Sequence, residues 1–368
     1  MMTILIDFLK AQGFNYGFFR VFDYITFRII MAVVTALVIE ILFGHSFIVR
    51  MYRRRFRDTG GDYVSLSTHS KRGTPTGGGL LMMFSIALAL LLWAKLNSIY
   101  LLTTASAFFY FGLVGLFDDW QKVRLKSSLF GLGQLAKTGL QLAYIIPFAA
   151  WFVSSANPLP AAHHSTFLLP FAKDVAWQVQ PWVFGAFLVF AFFSIVNAVN
   201  ITDGMDGLVS GPAVMTAVLY GVFAYILGNA IYSRYLLFTF YPGAGELTVF
   251  SGALVGGIFG FLWFNAYPAE VFMGDTGSMS IGAALAVLAF LTRQELLFPL
   301  VGGVFVASIA SSLIQDKIGM RLGRRILLRA PLHHSLTYRG IAEPKVVIRY
   351  WIVSLLLALL AALSIKLR

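Results

Sequence analysis

Apolar residues in this chain fall in long, nearly uninterrupted blocks, and that pattern most constrains what it can fold into. A bilayer-spanning helix needs about 20 mostly apolar residues. Lipid offers no partner for a free backbone N–H or C=O, so such blocks must be helices. Ten candidate spans lie at 25–49, 77–94, 99–117, 131–153, 182–199, 207–228, 247–267, 277–292, 296–315 and 347–365. The expected fold is an all-α polytopic membrane protein of about ten transmembrane helices, with residues 1–368 forming a single integral membrane domain. Composition agrees: 12% of residues are charged, where a soluble domain has about 25%. The chain has no cysteine, which excludes disulfides, thiolate nucleophiles and Cys-ligated metal centres. Residues 1–24 lack the basic start and small-residue cleavage site of a removable signal peptide and read as a retained segment.

Ten spans put both termini on one side of the membrane. Of the 28 Lys and Arg residues, 18 fall in segments 50–75, 118–130 and 316–350, and eight fall on the opposite side. Positively charged loops stay in the cytoplasm, so these segments are expected to be cytoplasmic and both termini periplasmic. The net charge of +12 then reports topology and contact with anionic membrane lipid, and no nucleic-acid partner is expected. The cluster Arg50, Arg53, Arg54, Arg55 and Arg57 reads as a topogenic or headgroup patch.

Ten of the sixteen acids also lie on the basic side, and two of its loops, 200–206 and 268–276, hold acids and no base. Topology alone does not explain them. Asp118 and Asp119 are adjacent carboxylates at the end of the third span: either a solvated helix terminus or a divalent-metal or acid–base site. The run from Asn197 to Leu208 holds Asn200, Asp203 and Asp206 with two glycines. It suits a break between helices whose exposed N–H groups bind polar ligand atoms. It is not an EF-hand, because Val214 stands where a bidentate Glu is required. Gly274-Asp275-Thr276-Gly277-Ser278 resembles a phosphate- or metal-binding turn, or is simple loop chemistry. Lys71 and Thr76 beside Gly77-Gly78-Gly79 have the makings of a phosphate cradle. His333-His334 is either structural or a metal or phosphate contact. Hard oxygen donors with Lys and His on one membrane face describe a Mg²⁺-assisted phosphoryl-transfer site.

These residues together resemble the polyprenyl-phosphate N-acetylhexosamine-1-phosphate transferase superfamily. The likeness rests on Lys71 through Thr76, Asp118-Asp119 with Lys122, Asn200 through Leu208, Phe272 through Gly277, Ala330 through His334, and Glu343 through Val346. Within it the chain is most similar to the enzymes that make lipid I. The resemblance implies transfer of phospho-MurNAc-pentapeptide from UDP-MurNAc-pentapeptide to undecaprenyl phosphate, with Mg²⁺ as cofactor. It also implies a site at the cytoplasmic face of the bacterial inner membrane and a homodimer among the partners. By the same resemblance Asp275 binds Mg²⁺ with Asp119 close by. Asp118 is the candidate base, in one step or through an aspartyl intermediate, and His333 joins the catalytic set. Asn200, Asp203, Asp206 and Asn265 line the nucleotide-sugar pocket, and Phe272 stacks on uracil. Lys71, Thr76, Gln315 and His334 complete the rim. A kink near Pro299, Gly302 and Gly303 opens a groove for the polyprenyl tail. Two positions depart from the family pattern: Ser335 replaces a third histidine, and Gly77 replaces a methionine.

Two other readings remain. A sister enzyme moving GlcNAc-1-phosphate to the same lipid is the nearest rival, and Ala330 through His334 favours the lipid I enzymes over it. A secondary transporter would place charges near the bilayer midplane, whereas Arg28, Glu40 and Lys137 are the few charges set inside spans and most cluster at loop ends.

Overall fold

The computed structural model describes residues 2, 18–54, 56, 73–125, 131–172, 176–319, 321–323 and 325–367. Lys71, Arg55, Arg57 and most of the first 24 residues lie outside them.

Each of the ten expected spans has a helical counterpart. In chain order these are α1 (Ile25–Arg53), α2 (Gly78–Trp93), α3 (Ile99–Leu125), α4 (Gln134–Val153), α5 (Pro181–Thr202) and α6 (Ser210–Leu227). After a short α7 (Ala230–Tyr235) come α8 (Glu246–Asn265) and α9 (Gly274–Leu291). The pair α10 (Phe298–Val301) and α11 (Gly303–Leu313) follows, then a short α12 (Leu332–Tyr338) and α13 (Glu343–Ala362). Among the described residues, seven helices are long and apolar enough to cross a membrane, or eight if the bent pair counts as one span. The protein is therefore a multi-pass membrane protein. The expected kink is present: the axis turns by 81° at Gly302, just after Pro299, which cannot donate to the helix ladder.

The helices overrun the apolar blocks at one end of the bundle. α3 continues to Leu125, so Asp118 and Asp119 lie on helix two turns from its end, and α5 continues through Asn200. Lys122 and Arg124 occupy the last turn of α3, where cations complement exposed carbonyls. Apolar block length measures the hydrocarbon, and the helix simply projects beyond it.

α9 is the axis of the fold. Every residue from Thr276 to Leu291 is buried, and α9 packs against α2, α3, α5 and α6. Lipid supplies no hydrophobic force between helices, so close packing of small residues holds them. A Cβ on Gly79 would stand 2.3 Å from the Gly277 nitrogen, and one on Gly115 would stand 2.2 Å from the Asp275 carbonyl oxygen. These contacts draw α2 and α3 onto the first turn of α9. At the opposite end, Arg28 donates to both oxygens of Glu246 at 2.9 and 2.6 Å, and the Lys95 N–H donates to the same carboxylate. That buried pair ties α1 and the end of α2 to α8.

The segment between α4 and α5 forms an antiparallel hairpin, β1 (Thr166–Leu168) with β2 (Ala176–Gln178). Arg293, fully buried, donates to the Thr166 carbonyl and pairs with Glu295 at 2.9 Å.

Gly115→Ala forces Asp275 to shift. Overpacking of this kind costs about 1–3 kcal/mol, so a lower thermal midpoint in detergent and reduced activity are expected. Gly185→Ala is the control, since a Cβ there meets nothing within 4 Å; both properties should hold.

Candidate active site

Two helices that meet at one end of the bundle supply the acids. Asp119 of α3 reaches the first turn of α9, where helical N–H groups have no partner within the helix. Its Oδ1 accepts from the Asp275 N–H at 3.0 Å, and its Oδ2 from the Thr276 N–H at 3.0 Å and the Thr276 hydroxyl at 2.7 Å. The carboxylate caps a helix other than its own, and its charge suits the positive end of the helix dipole. Gly274 makes this possible: its φ is +74°, and a Cβ would stand 2.5 Å from Asp119 Oδ2.

Asp118 points the other way. Its Oδ1 accepts from the Leu132 N–H at 2.8 Å. Its Oδ2 lies 2.7 Å from Lys122 Nζ and 3.8 Å from Lys137 Nζ, yet it is buried and accepts no well-aligned hydrogen bond. Asp275 takes Asn200 Nδ2 on Oδ1 at 3.0 Å. Its Oδ2 pairs with Lys137 and lies 3.1 Å from Lys122. Asn200 also donates to Ser278 at 2.9 Å.

Asp118, Asp119 and Asp275 thus each offer an oxygen, all within 4.8 Å of one another. Three carboxylates faced by two ammonium groups keep a net negative charge. This set of hard carboxylate oxygens, two of the three carboxylates buried, fits a small hard cation such as Mg²⁺.

A second group faces this cluster. Asp203 directly follows α5, and burial together with Asp275, Asp119 and Asp206 pushes its carboxyl up to about 8. The next residue, Gly204, abuts the histidine pair: a Cβ there would stand 2.5 Å from His333 Nε2 and 3.2 Å from His334 Nε2. His333 is fully buried with neither ring nitrogen hydrogen-bonded. Burial, then His334, lowers its pKa to about 3. Ser335, in place of the third family histidine, is also buried.

The remaining expected residues separate into those beside the cluster and those turned elsewhere. Backbone hydrogen bonds from Gly78 to Phe272, Phe272 to Pro75 and Gly79 to Met273 lay the Thr76 segment along the loop that leads into α9. Phe272 is half-buried there. Asp206 Oδ2 accepts from the Ala269 N–H at 3.1 Å, joining the two acid loops. Asn265 is buried with both ends of its amide engaged, accepting from the Gly207 N–H and donating to the Val271 carbonyl, each at 2.8 Å. Its side chain positions these loops. Gln315 likewise spends its carbonyl on the Ile326 and Leu327 N–H groups of its own loop. Lys71 lies outside the described residues. Lys137 was legible only as a charge intruding into a span. Intramembrane cations are functional by default, and its place near the start of the fourth block set it level with the acids.

Residues 99–293, more than half of the chain, match the family model for Glycosyl transferase family 4. The chain is 44% identical to a phospho-N-acetylmuramoyl-pentapeptide-transferase of Desulfovibrio desulfuricans, over 98% of this chain and 99% of that protein. It is 45% identical to one of Desulfosudis oleivorans, over 99% of this chain and 100% of that protein. A third, from Maridesulfovibrio salexigens, is 41% identical over the same shares.

The buried neutral His333 has a measurable consequence. With a pKa of 6.5 when unfolded and about 3 when folded, its proton favours the unfolded chain between those values. Stability is complete above pH 6.5 and falls as the pH drops through that window. Thermal midpoints should therefore fall more between pH 7.5 and 5 in the wild type than in His333→Gln. Equal falls would contradict the assignment.

Proposed function

We infer the reaction from one premise: the chain belongs to glycosyl transferase family 4 and, within it, to the phospho-N-acetylmuramoyl-pentapeptide-transferases. On that premise we propose that it transfers phospho-N-acetylmuramoyl-pentapeptide from UDP-MurNAc-pentapeptide to undecaprenyl phosphate, forming lipid I and UMP for peptidoglycan synthesis. The observation that carries this reading is near full-length likeness to relatives of that name, joined to a carboxylate–lysine cluster at one end of a helical bundle.

We place the protein in the bacterial inner membrane with ten crossings, both termini periplasmic and the cluster cytoplasmic. The bent α10–α11 pair serves as the ninth crossing. The basic loops support this orientation, since the cluster lies at the end that bears them. One substrate is soluble and the other a membrane lipid, and a site at the cytoplasmic ends of helices meets both.

Mg²⁺, held by Asp275 and Asp119 with Asp118 Oδ2 at hand, would shield the charge between two anionic substrates. Asp118 is the base we assign to the lipid phosphate. The lipid phosphate oxygen forms a bond to the sugar-bearing phosphorus, and the bond from that phosphorus to the UMP oxygen breaks. Lys122 and Lys137 balance the carboxylates and the leaving phosphate. Asp203, Asn200 and Phe272 border the side from which a nucleotide sugar enters, beside His333 and His334. The break at Gly302 leaves a site for the polyprenyl tail.

The test is UMP release by purified protein in detergent, with undecaprenyl phosphate and either UDP-MurNAc-pentapeptide or UDP-GlcNAc. Mg²⁺-dependent release with the pentapeptide substrate alone is expected, and removal of the metal by chelation should stop it. Release with UDP-GlcNAc instead would transfer the protein to the sister activity. Asp118→Asn, Asp119→Asn and Asp275→Asn should each reduce the rate by about a hundred- to a thousandfold, the loss expected for a group acting on developing charge. Wild-type rates from Asp275→Asn would overturn the metal assignment.

A further inference from the structure

The acid loop between α5 and α6 is held from the last helix of the chain, by residues outside the assigned machinery. Gly207 has a φ of +75°, a conformation that glycine alone adopts readily. Its peptide groups are clamped on both sides. The Gly207 N–H donates to Asn265 Oδ1 at 2.8 Å, and its carbonyl accepts from Trp351 Nε1 at 3.1 Å. One residue earlier, the Asp206 N–H donates to Glu343 Oε1 at 3.1 Å.

Glu343 and Trp351 both belong to α13, one at its first turn and one on its body. The Trp351 ring also closes on the start of α6, where a Cβ on Gly211 would stand 2.3 Å from it. α12, immediately before α13, brings His333 against Gly204 on the same loop. A single stretch of chain, residues 332–351, therefore touches the loop at Gly204, Asp206 and Gly207. Asp203 and Asp206 owe their placement to this stretch as well as to α5 and α8.

We propose that Glu343 and Trp351 are positioning residues for the Asp203–Gly207 loop, setting the affinity for the nucleotide sugar without touching the reacting atoms. This rests on the reading that the loop borders the nucleotide-sugar site. The effect is selective because the cluster acids have holds of their own: Asp119 holds Asp275, and Leu132 and Lys122 hold Asp118.

The test uses steady-state UMP release and calorimetric binding of UDP-MurNAc-pentapeptide by full-length protein in detergent. Trp351→Phe keeps a ring against Gly211 and removes only the N–H donor. Losing one neutral hydrogen bond is worth about fivefold. The KM and Kd for the nucleotide sugar should therefore rise by about that factor, with kcat and the KM for undecaprenyl phosphate within twofold of wild type. Glu343→Ala should act in the same direction. Glu343→Gln, which keeps an acceptor oxygen, should restore wild-type values. Unchanged nucleotide affinity in Trp351→Phe and Glu343→Ala would overturn the proposal. So would a loss shared equally by both substrates with a lowered thermal midpoint, the mark of general destabilisation. Wild-type protein that binds the nucleotide sugar but releases no UMP would contradict the reaction, and the binding comparison would still decide the role of the clamp.

Discussion

The site depends on one carboxylate capping a helix other than its own. Asp119 of α3 takes three hydrogen bonds from the first turn of α9. This satisfies groups that lipid could not and fixes the Asp275 backbone. Without it, an exposed helix start would lie at the edge of the hydrocarbon, where unpaired N–H groups are costly. The same interaction brings Asp275 beside Asp118 and both lysines. Structural necessity and the assembly of a charged cluster are one event here.

That arrangement needs helix axes closer than ordinary side chains allow. Gly115 against the Asp275 backbone, Gly79 against Gly277 and Gly282 against Val196 supply the room. Small residues in α9 thus set how near α2, α3 and α5 come, and the distance between carboxylates follows from helix packing. The buried Arg28–Glu246 pair at the other end anchors α1 and α8 far from the chemistry. The acid–lysine cluster and the Arg28–Glu246 pair thus sit at opposite ends of an apolar bundle and serve different tasks.

Block hydropathy located each long helix among the described residues, because lipid permits few alternatives, and missed the short α7 and α12. It located helix ends poorly, since a helix continues past the point where its residues stop being apolar. Asn200 consequently read as part of a turn when it is helical, and Asp118 and Asp119, read at a helix end, lie two turns inside α3. Asp275 was legible from an acid-only loop on a basic face, Asp118 and Asp119 as adjacent carboxylates at a helix end, and all three from the family resemblance. Lys137 was hidden because its meaning depends on α4 packing beside α3, which no local pattern encodes. Asn265 and Gln315 enter the expected site through the family resemblance, and in the fold both also hold backbone groups within the protein. Glu343 and Trp351 lie over a hundred residues from the loop they hold; Glu343 opens a motif of the family resemblance, but only the fold reveals what either residue holds.

The proposed divalent-cation site is formed by Asp118, Asp119 and Asp275. Its most direct measurement is a Mn²⁺ titration of purified protein followed by electron paramagnetic resonance, with Mg²⁺ as competitor. The wild type should bind a single Mn²⁺ that Mg²⁺ displaces, and Asp275→Asn, folded by its thermal midpoint, should not. Equal binding by both proteins would contradict the account.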